Sequence, residues 1–367
     1  MNRIDFHMDW RRWLLLVLFI ALTAWVVSRF TSLKELATAL SKGDWPWLAA
    51  AVLVHFVYFV MSAKLYQLCF DVVGVESRTW HLLPVLFSAF FINTIIPSMG
   101  AAAAALFVGD AVYRGQSGAR AAVGTLLVLL VDLTTLTPFV LYGLAFLRAR
   151  DLLHLYDAVT SGIFVLGILV MMAGLFLAWW KPGGLRRLLR RVRRVVNRVG
   201  SRFKHPGLLA EEWPDRNARD LVDAAEAIVA NPRKLSRALV WALAMQIVNL
   251  TGLYMLFLAF RQSAPLGAIV AGFSMGIVFF VITIFPQGIA VVEAIMSLVF
   301  TSEGIPGPKA VAIVLAFRGA NFYLPFLFGF FSLQVLSRFY RREDPSRRNA
   351  SQAPPGEAVN DPKAKAE

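Results

Sequence analysis

Charge is scarce in this chain. Only 16% of its 367 residues are Asp, Glu, Lys or Arg, against about a quarter in ordinary soluble domains. Cysteine is almost missing. Cys69 stands alone, which excludes a disulfide within the chain and any Cys/His metal-ligand spacing. The five histidines, His7, His55, His81, His154 and His205, are scattered. No G-x-S-x-G, H-E-x-x-H, Walker A or G-x-G-x-x-G motif occurs, so the usual signatures of serine hydrolases, zinc proteases and nucleotide-binding domains are lacking. The expectation is a protein that is not an enzyme, with no cofactor and no metal. What fills the chain is apolar: 58% of residues are hydrophobic and the mean hydropathy is +0.62. A soluble core does not need so much apolar surface, so the expected solvent is lipid. The net charge of +14 could suggest nucleic acid. The basic residues cluster between apolar runs, however, which points to an anionic membrane surface and not to nucleic acid.

Apolar segments run over 13–30, 47–70, 82–113, 121–147, 159–180, 238–260, 266–300 and 310–336. A span needs about 20 residues, at 1.5 Å each, to cross a hydrocarbon core of about 30 Å. The 82–113 segment is interrupted at Pro97-Ser98-Met99-Gly100 and the 266–300 segment at Pro286-Gln287-Gly288. Arms such as 82–96 and 289–300 reach only about 20 Å by the same rise. The expected fold is an all-α polytopic membrane protein with about six full spans plus two re-entrant helical hairpins in an inverted-repeat arrangement. Two pairs of short tilted spans would satisfy the same parity. The N-terminal Arg3, Arg11 and Arg12 followed by an apolar run resemble a signal peptide. No small-residue cleavage site follows, and a retained first helix is the reading adopted.

Lys and Arg concentrate at the N-terminus and at 64–78, 114–120, 181–237 and 338–348. By the positive-inside rule these lie in the cytoplasm. The first hairpin then enters from the inside, the second from the outside, and both termini are cytoplasmic. The 181–237 stretch is a cytoplasmic insertion in a 1–340 transmembrane unit. Within it, Arg186, Arg187, Arg190, Arg191, Arg193, Arg194 and Arg198 alternate with Leu and Val at helical spacing, which predicts a basic amphipathic helix lying on the inner leaflet. A mixed-charge amphipathic piece follows over 215–230. The 341–367 tail is rich in Pro, Ala and charge, and is expected to be disordered.

Ionisable residues inside apolar segments mark functional sites by default. Deep in the segments they are Asp132, Glu293 and Arg318; Lys64 stands near the inner end of its span, where its long stem lets the charge snorkel to the surface. Glu293 and Arg318 fall at similar depth, so a Glu–Arg pair is expected, either as a lock between hairpin and helix or as a pair that opens for a phosphate. Arg suits phosphate because its planar fork binds it bidentately and stays charged. A turn at mid-membrane leaves backbone groups that lipid cannot satisfy. Pro97 and Pro286 end the entering arms, Gly100 and Gly288 permit the turns, and the next arms begin with free N–H groups that favour anions. Asn93, Ser98 and Gln287 add donors there. His55, Asn249, Thr251 and Asn321 read as structural, the last three as interhelical hydrogen-bonding residues. Asp110 reads as a cap at the end of the first hairpin, and Gly272-x-x-x-Gly276 as a packing face.

Two stretches carry a resemblance. IFPQGIAVVEA with AFRGANFYLPFLFGF (284–330) and FFINTIIPSMGAAAAALFVGDAVYRGQSGARAA (90–122) resemble the signatures of the lysylphosphatidylglycerol synthase transmembrane family, also called the flippase-like domain family. The matching positions are Pro97, Gly100, Pro286, Gly288, Glu293, Arg318 and Pro325. Where the family usually has Pro-Gly-Gly-Ile-Gly, this chain has Gln287 and Ala290 in place of glycines, and Met99 precedes Gly100 where a Gly-Gly pair is usual. The resemblance implies a cytoplasmic-membrane protein that moves a lipid between leaflets. The aminoacyl-transfer activity of the synthases is not implied, because only a short tail follows Leu336.

The expected function is therefore a lipid translocase for an anionic or modified headgroup, with Arg318, Glu293, Pro286, Gln287, Gly288, Pro97, Ser98, Gly100, Asn93 and Asp132 as candidate substrate contacts. Its partners would be membrane lipids. The alternative is a non-transporting scaffold that holds a lipid-modifying enzyme through the arginine-rich helix. An integral membrane enzyme using Asp132 and Glu293 is a third reading, but nothing in the sequence brings those two together.

Overall fold

The computed structural model describes residues 43–95, 100–152, 155–180, isolated positions between 183 and 197, 213–283 and 288–342. The expected first span at 13–30, the turn residues Pro97, Ser98, Pro286 and Gln287, the surface arginines Arg186 and Arg198, and the tail from 343 lie outside the described residues.

Among the described residues every regular element is helical. Five helices are long and apolar enough to cross a membrane. They are α1 (Trp45–Val72), α4 (Gly118–Ala149), α5 (Leu155–Trp180, apolar over Leu155–Ala173), α7 (Pro232–Ala259) and a final rod covering Gly307–Leu336. That rod comprises α10 (Gly307–Arg318), a π-helical turn (Gly319–Tyr323) and α11 (Leu324–Arg342). Shorter apolar helices come in two pairs: α2 (Thr79–Ile95) with α3 (Ala101–Tyr113), and α8 (Leu266–Ile282) with α9 (Val291–Ser302). The described helices stop at Ile95 and Ile282 and resume at Ala101 and Val291, so each gap brackets one of the sequence's prolines, Pro97 or Pro286, a residue type that cannot continue a helix without losing a hydrogen bond. Gly100 restarts the chain at φ 86° and Gly288 sits at φ 64°, the left-handed region that glycine enters without penalty. By contrast Pro46 and Pro232 lie in the first turns of α1 and α7, where no hydrogen bond is lost.

The element lengths repeat. The helices α1, α2, α3 and α4 have 28, 17, 13 and 32 residues. The series α7, α8 and α9 has 28, 17 and 12, closed by a rod whose apolar part, Gly307–Leu336, has 30. The leading helices of the two series pack against each other antiparallel. Asp44 N–H donates to Ala259 O at one end (2.8 Å), Lys234 Nζ donates to Asp71 O at the other (2.9 Å), and Trp241 Nε1 donates to Met61 O between them (2.9 Å). Each short pair then docks on the closing helix of the other series. On α4, Ser274 of α8 donates to Phe139 O (2.8 Å), and a Cβ on Gly143 would meet Ala271 Cα at 3.1 Å. On α11, the rings of Phe87 and Phe91 of α2 pack at a tilt against Phe328, Phe326 and Phe330, and a Cβ on Gly329 would collide with the Phe87 carbonyl.

The Gly272-x-x-x-Gly276 face packs as expected. It receives the Phe300 ring and the Met296 side chain of α9, so the small residues close α8 onto its own partner arm. At the open end of the first pair, buried Asp110 accepts from Arg114 Nε (3.0 Å) and lies 2.8 Å from His81 Nε2, tying α3 back to the start of α2. A further helix, α6 (Trp213–Ala230), packs against α4 and α5. In the basic stretch before it, Arg187, Arg190, Arg191 and Arg194 are exposed, and Arg190 reaches Asp215 of α6 at 3.0 Å.

Candidate functional site at the tips of the short helix pairs

Both short pairs point at the π turn. Phe90, about one turn before the end of α2, meets the Phe322 ring at 5.9 Å. Ile289 and Ala290, just before α9, pack on the same ring together with Tyr323. Phe90 also touches Phe59 at 6.3 Å. Phe59 lies about 21 Å along α1 from Trp45, half-way down a helix of about 42 Å at 1.5 Å per residue, so the tip of the first pair sits beside the middle of a spanning helix.

Arg318 is the residue immediately before the π turn. Its Nε donates to Glu293 Oε1 at 2.7 Å, and both residues are 7% exposed. The Arg318 guanidinium also lies over the Phe322 ring, 4.6 Å from its centroid, a favourable cation–π position. Glu293 stands in the first turn of α9, where the positive end of the helix dipole favours a carboxylate. One charge thus answers two features, the guanidinium and the helix end. The second oxygen of Glu293, Oε2, is buried without a hydrogen-bond partner among the described residues. A π turn is a strained insertion that recurs at functional sites; here it presents Phe322 to both tips.

The candidate residues are gathered unevenly. Glu293, Arg318, Gly288 and the end of α2 near Asn93 converge. Gly100 caps α3 across the break. Asp132 belongs to a different group: its Oδ1 accepts from Gln246 Nε2 of α7 at 2.7 Å. Three structural expectations need correction. Thr251 bonds back to Ile247 O within its own helix, Asn249 Oδ1 is buried with no partner, and no hydrogen bond joins Asn321 to another helix among the described residues. Apolar helices with few donors leave little for such groups to meet. His55 is satisfied on one side only: Nδ1 donates to Ala51 O (2.7 Å) while Nε2 is buried without a partner among the described residues, the ring being wedged between Gly252 and Phe317.

Sequence reasoning missed Phe322, Phe90 and Gln246. The signals existed. Phe322 follows Arg318 by one helical turn, and Gln246 is a lone amide in the middle of an apolar segment.

Residues 13–329 match the family described as the lysylphosphatidylglycerol synthase TM region. The chain belongs to this family. No curated protein and no solved structure matches it. Membership in the lysylphosphatidylglycerol synthase TM family and the five long apolar helices together make this a multi-pass membrane protein, in a family associated with lipid modification.

Proposed function

We propose that the protein is a lipid translocase of the cytoplasmic membrane. The observation that carries this reading is the convergence of both helix-pair tips on the Glu293–Arg318 pair and the π turn. In this reading the short pairs are re-entrant hairpins, since arms of 12 to 17 residues reach only about 18–26 Å. The matched lengths and antiparallel leading helices support an inverted repeat, and with the 13–30 segment the chain has six full spans. The basic loops put both termini in the cytoplasm.

The chemistry follows from the pair. In the empty state Glu293 neutralises Arg318 away from water. An anionic headgroup arriving between the tips competes for the guanidinium, and Glu293 retains the α9 helix end. The π turn gives the last rod a point where Arg318 can shift register with little disturbance of α11. Rocking of one series against the other then exposes the headgroup to the other leaflet. This differs from aminoacyl transfer and calls for no nucleophile.

Leaflet exchange of fluorescent lipids in proteoliposomes tests the proposal. Wild type should exchange one headgroup class faster than protein-free vesicles, and Arg318→Ala and Glu293→Gln should lose most of that rate. Absence of exchange for every headgroup and gradient tried would overturn it. The exposed arginines of the surface stretch favour one rival, a scaffold for a lipid-modifying enzyme. In that case charge removal at Arg187, Arg190, Arg191 and Arg194 abolishes function and Glu293→Gln is silent.

A further inference from the structure

Asp132 is left unexplained by the tip site. It lies about 21 Å along α4 from Gly118 and about 25 Å from Ala149, near the middle of a spanning helix. Its hydrogen-bond partner is a neutral amide, Gln246 of α7, at 2.7 Å. Among the described residues no Lys, Arg or His pairs with it, and no group of side chains there could hold a metal ion. The elements packed on α4 are α1, α3, α5, α6, α7 and α8. The titratable and charged residues of α1 are His55, Tyr58, Lys64, Tyr66, Cys69 and Asp71; its one cation, Lys64, donates to Gln67 Oε1 of its own helix at 3.1 Å. Described charged and titratable residues of the others stand near helix ends or on the surface: Asp110 and Tyr113 on α3, Tyr156 and Asp157 on α5, Asp215, Arg219, Asp223 and Glu226 on α6, and Arg233, Lys234 and Arg237 on α7. Tyr254 of α7 is exposed two turns beyond Gln246. The α8 helix has no titratable side chain.

The contrast with Glu293 is informative. One intramembrane carboxylate is neutralised by a fixed cation, Arg318. The other has none, and a carboxylate at that depth is costly unless something mobile neutralises it. We propose that Asp132 is a second functional site, a proton-binding carboxyl that couples lipid movement to a proton gradient. The coupling role rests on the translocase reading. Its mechanical basis is the Asp132–Gln246 bond, which ties α4, carrying the docked α8 arm, to α7 and thereby to α1. A hydrogen bond to an ionised carboxylate is stronger than one to a neutral acid. Protonation therefore loosens the tie and frees α4 with α8 to move against α1 and α7. Release of the proton to the other side restores it, so one proton crosses per cycle.

The test uses the full chain in proteoliposomes, with wild type, Asp132→Asn and Asp132→Glu, each first checked for a single monodisperse species. Lipid exchange is compared with and without an imposed pH gradient. In parallel, the infrared carbonyl band of protonated carboxyls is followed from acid to alkaline pH. The expected result is a several-fold acceleration by the gradient in wild type and Asp132→Glu, no difference with and without it in Asp132→Asn, and loss of one titrating carbonyl component in that variant. Exchange that ignores the gradient in wild type, that keeps its gradient response in Asp132→Asn, or that follows a sodium gradient at constant pH overturns the coupling and leaves the translocase reading standing. If wild type exchanges no lipid, the translocase reading fails by itself and the infrared titration decides the proton site: a titrating component lost in Asp132→Asn retains it, and identical spectra overturn it.

Discussion

A buried ion pair in a membrane is asymmetric in its consequences. Removing one partner strands the other, at a cost of about 3–5 kcal/mol, whereas replacing both by apolar residues is often close to neutral. Arg318→Leu should therefore lower thermal stability in detergent far more than the double substitution Glu293→Met with Arg318→Leu. A double variant as unstable as the single one would show that the pair is not coupled as its 2.7 Å bond implies. Ala290 supplies a second prediction at this scale. It occupies φ 71° just before α9, a region in which a Cβ is strained by about 1–2 kcal/mol. Ala290→Gly should raise stability by about 1 kcal/mol after the glycine's greater unfolded-state freedom is counted, read as a higher melting temperature. An unchanged or lower one would mean the backbone relaxes around the alanine.

At the scale of elements, the glycines differ by what faces them. Gly329 of α11 abuts the Phe87 carbonyl of α2, and backbone cannot step aside. Gly276 of α8 faces the Met296 side chain, 2.8 Å from an added Cβ, and methionine is the most adaptable of apolar side chains. Gly329→Ala should cost about 2 kcal/mol or more, in the range for overpacked cores, while Gly276→Ala should cost less than half as much. Melting temperatures of the two variants decide it, and equal losses would refute the distinction. Much of this level is legible in the chain. The helix breaks at Pro97 and Pro286, the five described spans and the small-residue face at Gly272 and Gly276 follow from local chemistry. What α2 and α8 dock against does not, because α8 is apolar on every side and carries no periodic stripe to indicate a partner.

For the whole molecule, the charge pattern and the antiparallel α1 and α7 make a prediction about sides. Cys69 is buried, so labelling of introduced cysteines starts from a quiet background. Gln262→Cys and Ser302→Cys should react with a membrane-impermeant maleimide from outside intact cells. Gln116→Cys should react only after the membrane is opened. Labelling of all three from one side would overturn the opposed entry of the two helix pairs.

The sequence by itself determined the lipid solvent, the approximate places of the five described spans, the division of two apolar segments into short helices, and the candidate charges Glu293, Arg318 and Asp132. These depend on composition and on local breakers, which act within a few residues. Only the tertiary structure decided that α2 packs on α11 and α8 on α4, that Phe322 and the π turn gather both tips, that Asp132 meets Gln246 and that His55 keeps an unpartnered nitrogen. The physical reason is the solvent. In water an apolar stripe marks the buried face of a helix. In lipid both faces are apolar, and neighbours are selected by shape, by small residues and by a few polar contacts between helices that lie far apart in the chain.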